Sequence, residues 1–346
     1  MTSQPTGKPT SKPERGRTPA DEPDDLPSKP TASHGPDELT GLPKSSYFAV
    51  LKRVAKEFGE DNITVWAAAL TYYGVLSIFP GLLLLVTALK LFGSDTVQKL
   101  VDNVKSLAPG SVSDILSGAA TSLQQSQQSS AGILAIVGLL GALWSASGYV
   151  GVFMKASNDI YDVPEGRPIW KTLPIRLALT IVTMVVLVIG AVIVVFTGSV
   201  AEQLGRAIGA GGLAVTVWSI GKWPVLVILV SLLFALLYWA SPNARSGGVR
   251  WVTPGGLLAV IIWLAASVGF ALYVTNFSSY NKTYGSLAAV IIFLVWLWIT
   301  NIALLLGAEV NAELEHGKAI SEGLPPDVQP FAEARDTRKL DTEREG

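Results

Sequence analysis

The residue types able to do chemistry are scarce and unevenly placed. The chain has no cysteine and two histidines, His34 and His316, far apart in sequence. That composition excludes disulfides, thiolate nucleophiles and cysteine-based zinc sites, and leaves no metal-ligand spacing such as H-E-x-x-H. No Ser/His pairing or paired-Asp pattern lies within the apolar segments, and no glycine-rich phosphate loop is present. The ionisable groups are what remain. From Leu173 to Glu309 they are Arg176, Glu202, Arg206, Lys222, Arg245, Arg250, Lys282 and Glu309.

Three groupings are candidates for function. Asn301 and Glu309 lie eight residues apart, roughly 12 Å along a helix. They cannot share one small ligand, but they can line one pathway for an ion, a proton or a lipid headgroup. The alternative for Glu309 is a carboxylate at the membrane interface, where an ionisable group costs less than at mid-bilayer. Thr71, Tyr72 and Tyr73 sit in the middle of an apolar run that Pro80 interrupts, and Pro80 reads as a helix kink. Lys155, Asn158 and Asp159 cluster where another apolar run ends, suited to loop contacts or a lipid headgroup. No cofactor or metal is expected.

Those side chains must be positioned by membrane helices. Charged residues make up 15% of the 346-residue chain, against about 25% in an ordinary soluble domain, and they concentrate at the ends. Thirteen fall in residues 1–46 and twelve in residues 318–346. A bilayer core needs roughly 20 mostly apolar helical residues to cross it. Six segments qualify, at about 63–89, 131–154, 177–196, 215–240, 252–274 and 287–308. They lack the alternation of a β-barrel, so the fold class expected is all-α, a polytopic membrane protein with six transmembrane helices.

Residues 1–46, with nine of the 20 prolines, read as a disordered cytoplasmic tail with no cleavable signal peptide. Residues 47–315 form the membrane domain, and 316–346 a polar, disordered cytoplasmic tail. Tyr47, Leu51, Val54 and Phe58 recur at helical spacing, with Lys52, Arg53 and Lys56 mostly elsewhere on the wheel. That suits either an interfacial helix whose cations meet anionic lipid, or an amphipathic cap packed on the bundle.

Residues 93–130 carry two apolar stripes split by Pro109-Gly110, read as an extracytoplasmic helical hairpin. Gly138, Ala142 and Ala146, with Gly141 and Ser145 beside them, form a small-residue packing face that also permits self-association. Pro224 and Pro254-Gly255-Gly256 read as helix-end punctuation. Lys and Arg number 20 in the tails and alternate loops of one side against four on the other, so both termini are expected in the cytoplasm.

Four stretches carry a family resemblance. They are Ala67-Ala68-Ala69-Leu70-Thr71-Tyr72-Tyr73 running on to Ser77-Ile78-Phe79-Pro80; Leu143-Trp144-Ser145 to Tyr149; Tyr284-Gly285-Ser286-Leu287-Ala288; and Leu306-Gly307-Ala308-Glu309-Val310-Asn311. Over about residues 46–315 the chain resembles the YihY/BrkB family of bacterial inner-membrane proteins. The resemblance implies six membrane helices and links to serum resistance or export of envelope lipids; an older name for the family is ribonuclease BN. The residues argue against a nuclease, because there is no cluster of metal ligands and no basic, aromatic-rich soluble face for RNA. The expectation is a non-enzymatic transporter or flippase for a lipid or other amphiphile, with Tyr72, Tyr73, Asn301 and Glu309 lining the route. Membrane lipids are the expected partners, with anionic lipid at Lys52, Arg53 and Lys56, and no nucleic acid. The alternative is a non-transporting scaffold or envelope-assembly factor.

Overall fold

The computed structural model describes residues 44–90, 131–195, 211–245, 249–275, 286–326, 328 and 330–345. The expected tail up to residue 43 and the hairpin at 93–130 lie outside the described residues. What is described is helical: α1 (Lys44–Glu60), α2 (Ile63–Lys90), α3 (Ala131–Ile160), α4 (Ile169–Val195), α5 (Gly211–Ala240), α6 (Val249–Thr275), α7 (Ser286–Ser321) and α8 (Arg338–Glu345). Ala244 and Ala334 form an isolated antiparallel bridge. The chain is therefore an all-α polytopic membrane protein.

Helices α2 to α7 close into a ring. Each packs on its neighbour in order, and α7 returns to α2, while α1 lies against α7 and α2. Large apolar side chains point outward, among them Tyr72, Trp144, Leu187, Val268 and Leu272, as expected where the surrounding solvent is hydrocarbon. Among the described residues, four helical segments are long and apolar enough to cross a membrane: Ile169–Val194, Thr216–Ala240, Pro254–Tyr273 and Val290–Ser321. Helix α2 contributes a shorter apolar stretch, Ile63–Ile78, and remains helical through Pro80.

One sequence expectation, that of the prolines at helix ends, changes. Pro254 lies inside α6 and Pro224 inside α5, as Pro174 does in α4. Pro254-Gly255-Gly256 is thus a packing device rather than an end signal. A Cβ built on Gly255 would sit 2.3 Å from the Gly307 carbonyl oxygen of α7, and one on Gly256 2.7 Å from the Ser231 carbonyl of α5. No other residue lets three helices come so close. In α3 a close approach falls at Gly148; of the small-residue face expected there, Gly138 and Ala142 lie outside the described side chains. A Cβ on Gly148 would meet the Tyr73 ring at 2.7 Å, whereas one on Gly141 would meet nothing within 4 Å.

The segment expected as a free polar tail, 316–346, is built into the bundle over its described residues. Helix α7 runs on to Ser321, and 36 residues make a helix of about 54 Å, well beyond a bilayer core. Its exit is a glycine stop: Gly323 has φ 106° and the Leu324 amide bonds the Ala319 carbonyl. The chain then doubles back. The Arg335 amide donates to the Asn243 carbonyl and the Arg245 amide to the Glu333 carbonyl. Phe331 stacks on His316 with ring centroids 4.7 Å apart and packs on Tyr161. Buried aromatic contacts and backbone pairing offset the chain entropy that polar composition alone suggests cannot be overcome.

Candidate functional site

One end of the ring collects α1, the α3–α4 and α5–α6 connections and the C-terminal segment. Its polar groups are held by a hydrogen-bonded frame. Arg167, 4% exposed, forks onto both oxygens of Glu165 at 2.8 and 2.7 Å and donates to the Ser241 carbonyl at 2.8 Å. That last bond occupies a carbonyl at the C-terminus of α5, which the helix itself leaves unpaired. Asn158 donates to Glu165 and accepts from the Asn243 amide. Asn243 in turn donates to the carbonyls of Pro164 and Asp336. Arg176, inside α4, reaches across to the backbone and hydroxyl of Ser147 in α3.

Two helices stop side by side here. Asn62 after α1 and Asp162 after α3 both have φ 52°, the left-handed conformation that Asn and Asp tolerate better than other side chains. At α3 the Val163 amide bonds back to the Asn158 carbonyl, a left-handed helix stop. The two stops leave an acidic cleft of about 440 Å³ lined by Glu60, Asp61, Asn62, Asn158, Asp159, Asp162, Val163 and Pro164. Asp159 accepts from the Trp66 indole at 3.0 Å.

Beneath the cleft lies Glu309 of α7, 1% exposed. Its Oε2 has no hydrogen-bond partner, and the carboxyl of Asp61 lies within hydrogen-bonding reach of that of Glu309. A hydrogen bond between two carboxyl groups needs a proton on one of them. Around the pair stand Glu57, Asp162 and Asp159. Burial is the largest influence on Asp61 and pushes it from an ordinary 3.8 up to about 6; Asp162 is raised by the same cause.

This has a consequence for stability. A carboxyl raised in the folded state keeps a proton that the unfolded chain releases near pH 4, so the folded state binds more protons across that interval. Thermal stability in detergent is expected to fall as pH rises from about 4 to about 6, and Asp61→Asn to flatten that fall. An unchanged slope in the variant would show that Asp61 does not carry the shift.

The residues singled out from sequence divide between this end and the body of the ring. Asn301 is fully engaged there: its amide donates to Thr71 at 3.0 Å, and it accepts from the Tyr149 hydroxyl at 2.8 Å. It ties α2, α3 and α7 together and does not meet Glu309. Tyr73 packs on Gly148, while Tyr72 is 62% exposed on the outer face. Asn158 is buried in the frame, whereas Lys155 and Asp159 are exposed.

Among the cations of α1, Arg53 is ion-paired with Glu313 of α7, and Lys56 meets Glu57 and Glu60. Val50 and Val54 dock on Leu314, so α1 is a cap on the bundle. Phe48, Leu51 and Lys52 form its exposed stripe. Sequence reasoning missed Asp61, Asp162 and Glu313. Glu313 had a signal, falling four residues after Glu309 on one helix face; Asp61 had none beyond its place beside a span.

Among the described residues no group of three His, Asp or Glu side chains is placed to hold a metal ion. Residues 54–330 match the family described as Virulence factor BrkB. The chain belongs to that family, and it is an integral, multi-pass membrane protein. It is 32% identical over 266 residues to a UPF0761 membrane protein of Alteromonas mediterranea, covering 75% of this chain and 85% of that one. It is 29% identical over 265 residues to the ribonuclease-like protein YfkH of Bacillus subtilis, covering 77% and 93%. A longer UPF0761 membrane protein of Alkalilimnicola ehrlichii is 30% identical over 277 residues, 57% of its own length. No solved structure matches the chain.

Proposed function

We propose that the chain is a non-enzymatic transporter or flippase-like protein for a lipid or other amphiphile in the bacterial cytoplasmic membrane. In this reading α2 to α7 make six spans. The 20-to-4 distribution of Lys and Arg puts the polar end, with both termini, in the cytoplasm. The observation that supports transport best is Glu309, a carboxyl 1% exposed between membrane helices whose Oε2 has no hydrogen-bond partner. An ionisable group so placed is expensive to fold around, and such groups are usually retained for a substrate or ion pathway. A scaffold would have no need of it.

The remaining polar residues take parts in the same reading. Tyr72 and Trp144, both exposed on the outer face, meet the acyl chains, while Tyr73 and Asn301 lie further inside. The outer stripe of α1, Phe48, Leu51 and Lys52, rests in the headgroup layer, its lysine toward anionic lipid.

The test uses the full chain in phosphatidylethanolamine–phosphatidylglycerol vesicles carrying lipids labelled at the headgroup. Protein vesicles are expected to move the label between leaflets faster than empty vesicles, and Glu309→Gln to slow it by about tenfold or more, a loss of about 1.4 kcal/mol in the barrier. Movement no faster than in empty vesicles, across several headgroups, would overturn transport and leave a scaffold. Full activity in Glu309→Gln would remove the carboxyl from the route.

A further inference from the structure

We propose that Asp61 and Glu309 form a proton-binding site, one proton shared between two carboxyl groups, loaded through the acidic cleft between the ends of α1 and α3. The inference rests on the transport reading only for what the proton drives.

Three observations on different elements carry it. Glu309 is 1% exposed, and its Oε2 has no hydrogen-bond partner. The carboxyl of Asp61 lies within hydrogen-bonding reach of the Glu309 carboxyl. Asp61 itself lines the 440 Å³ cleft, so the pair has one member inside the bundle and one at an aqueous surface. That arrangement suits a transferable proton. A proton arriving at Asp61 from cleft water passes along the carboxyl–carboxyl hydrogen bond to Glu309; one O–H bond breaks, another forms, and nothing is oxidised or reduced.

The charged neighbours favour holding that proton. From α1 the pair faces Glu57, and from α7 Glu313. From the end of α3 it faces Asp159 and Asp162, with the Tyr161 ring close to Glu309. Among the described residues Arg53 pairs with Glu313, His316 stands against Glu313 and acts on Asp162, Arg167 pairs with Glu165, and Lys56 meets Glu57 and Glu60. Like charges this close cannot all be ionised without cost, and a proton on the innermost pair is the least expensive relief. A metal ion would also relieve it, but among the described residues no set of three ligands is arranged to hold one.

The measurement is infrared absorption of the protonated carboxyl group in the full chain in lipid vesicles, titrated from acid to neutral pH. The wild type is expected to retain a protonated-carboxyl band at pH values where exposed acids have lost theirs, and Glu309→Gln to lose it. Asp61→Asn, at the surface end of the pair, serves where the glutamine variant does not fold, and is expected to lose or shift the band while circular dichroism stays unchanged. A band of wild-type size and position in either folded variant overturns the site. Replacing potassium by sodium at constant pH is expected to change nothing; loss of the band in sodium alone would make this a sodium site and overturn the proton. Lipid movement is scored separately. A band that behaves as expected without lipid movement defeats the transport reading and leaves the proton site. Movement with a band that survives in Glu309→Gln defeats the proton site alone.

Discussion

Gly307→Val is expected to destabilise the bundle by about 3 kcal/mol or more, the upper range for overpacking a close contact. The space it must occupy is already taken. A bare Cβ at Gly307 would stand 2.5 Å from the Tyr238 hydroxyl, 2.6 Å from the Ala259 Cβ and 2.8 Å from the Gly255 carbonyl oxygen. Two of those neighbours lie on α6 and one on α5, so no rotamer change clears the site. Valine adds two methyl groups to that crowding. The Tyr238 hydroxyl is also tied to the Leu304 carbonyl at 2.7 Å, so displacing the ring orphans a buried donor. Gly255→Ala is the reciprocal change, because its Cβ would meet Asn311 and the Gly307 carbonyl at 2.3 Å and would displace the Asn311 side chain from the Gly255 amide. The control is Gly269→Ala, where a Cβ meets nothing within 4 Å; it should be neutral or stabilise by about 0.5–1 kcal/mol through helix propensity. Thermal unfolding of the detergent-purified variants separates the two sites. A Gly307→Val protein melting with the wild type would show that the α5–α6–α7 crossing is looser than described.

Arg167→Leu should cost about 3–5 kcal/mol, the range for removing one partner of a buried pair. The loss spreads beyond Glu165. Without the guanidinium the Ser241 carbonyl loses its donor, and Glu165 is left with Asn158 as its remaining side-chain partner. Asn158 holds the Asn243 amide, and Asn243 holds the C-terminal segment through Asp336. The variant is therefore expected to release residues 330–345 as well as to lower the melting temperature. Limited proteolysis reports the first effect and thermal unfolding the second. Arg167→Lys retains charge but not the two-pronged geometry and should recover only part of the loss. If the segment stays protected in Arg167→Leu, the frame is not what holds it.

These expectations differ in how far the sequence foreshadows them. The Leu306–Asn311 stretch is conspicuous as sequence, but its content is a geometry: Gly307 permits the crossing, Glu309 turns to Asp61, and Asn311 caps the Gly255 amide. Asn301 reads as a lone polar group in an apolar run; in the structure it is a satisfied pin between Thr71 and Tyr149. Arg53 and Lys56 read as cations of either an interfacial helix or a cap on the bundle; in the structure Arg53 meets Glu313 of α7, and Lys56 meets Glu57 and Glu60 of its own helix.

What the sequence by itself determines is the solvent and the secondary structure. Apolar runs long enough to span hydrocarbon must be helical there, because each backbone group has to bond within its own segment. Neighbouring residues alone decide that, so it is readable along the chain. Which polar groups meet is decided only by the tertiary structure. Arg53 and Glu313 stand 260 positions apart, and nothing local to either names the other. The same holds for Asp61 and Glu309, and for the C-terminal segment, whose polar composition reads as solvated until Phe331, Asn243 and Tyr161 give it a surface. A proton site made of two acids exists only after the ring closes, because its chemistry comes from burial and mutual proximity rather than from either residue alone.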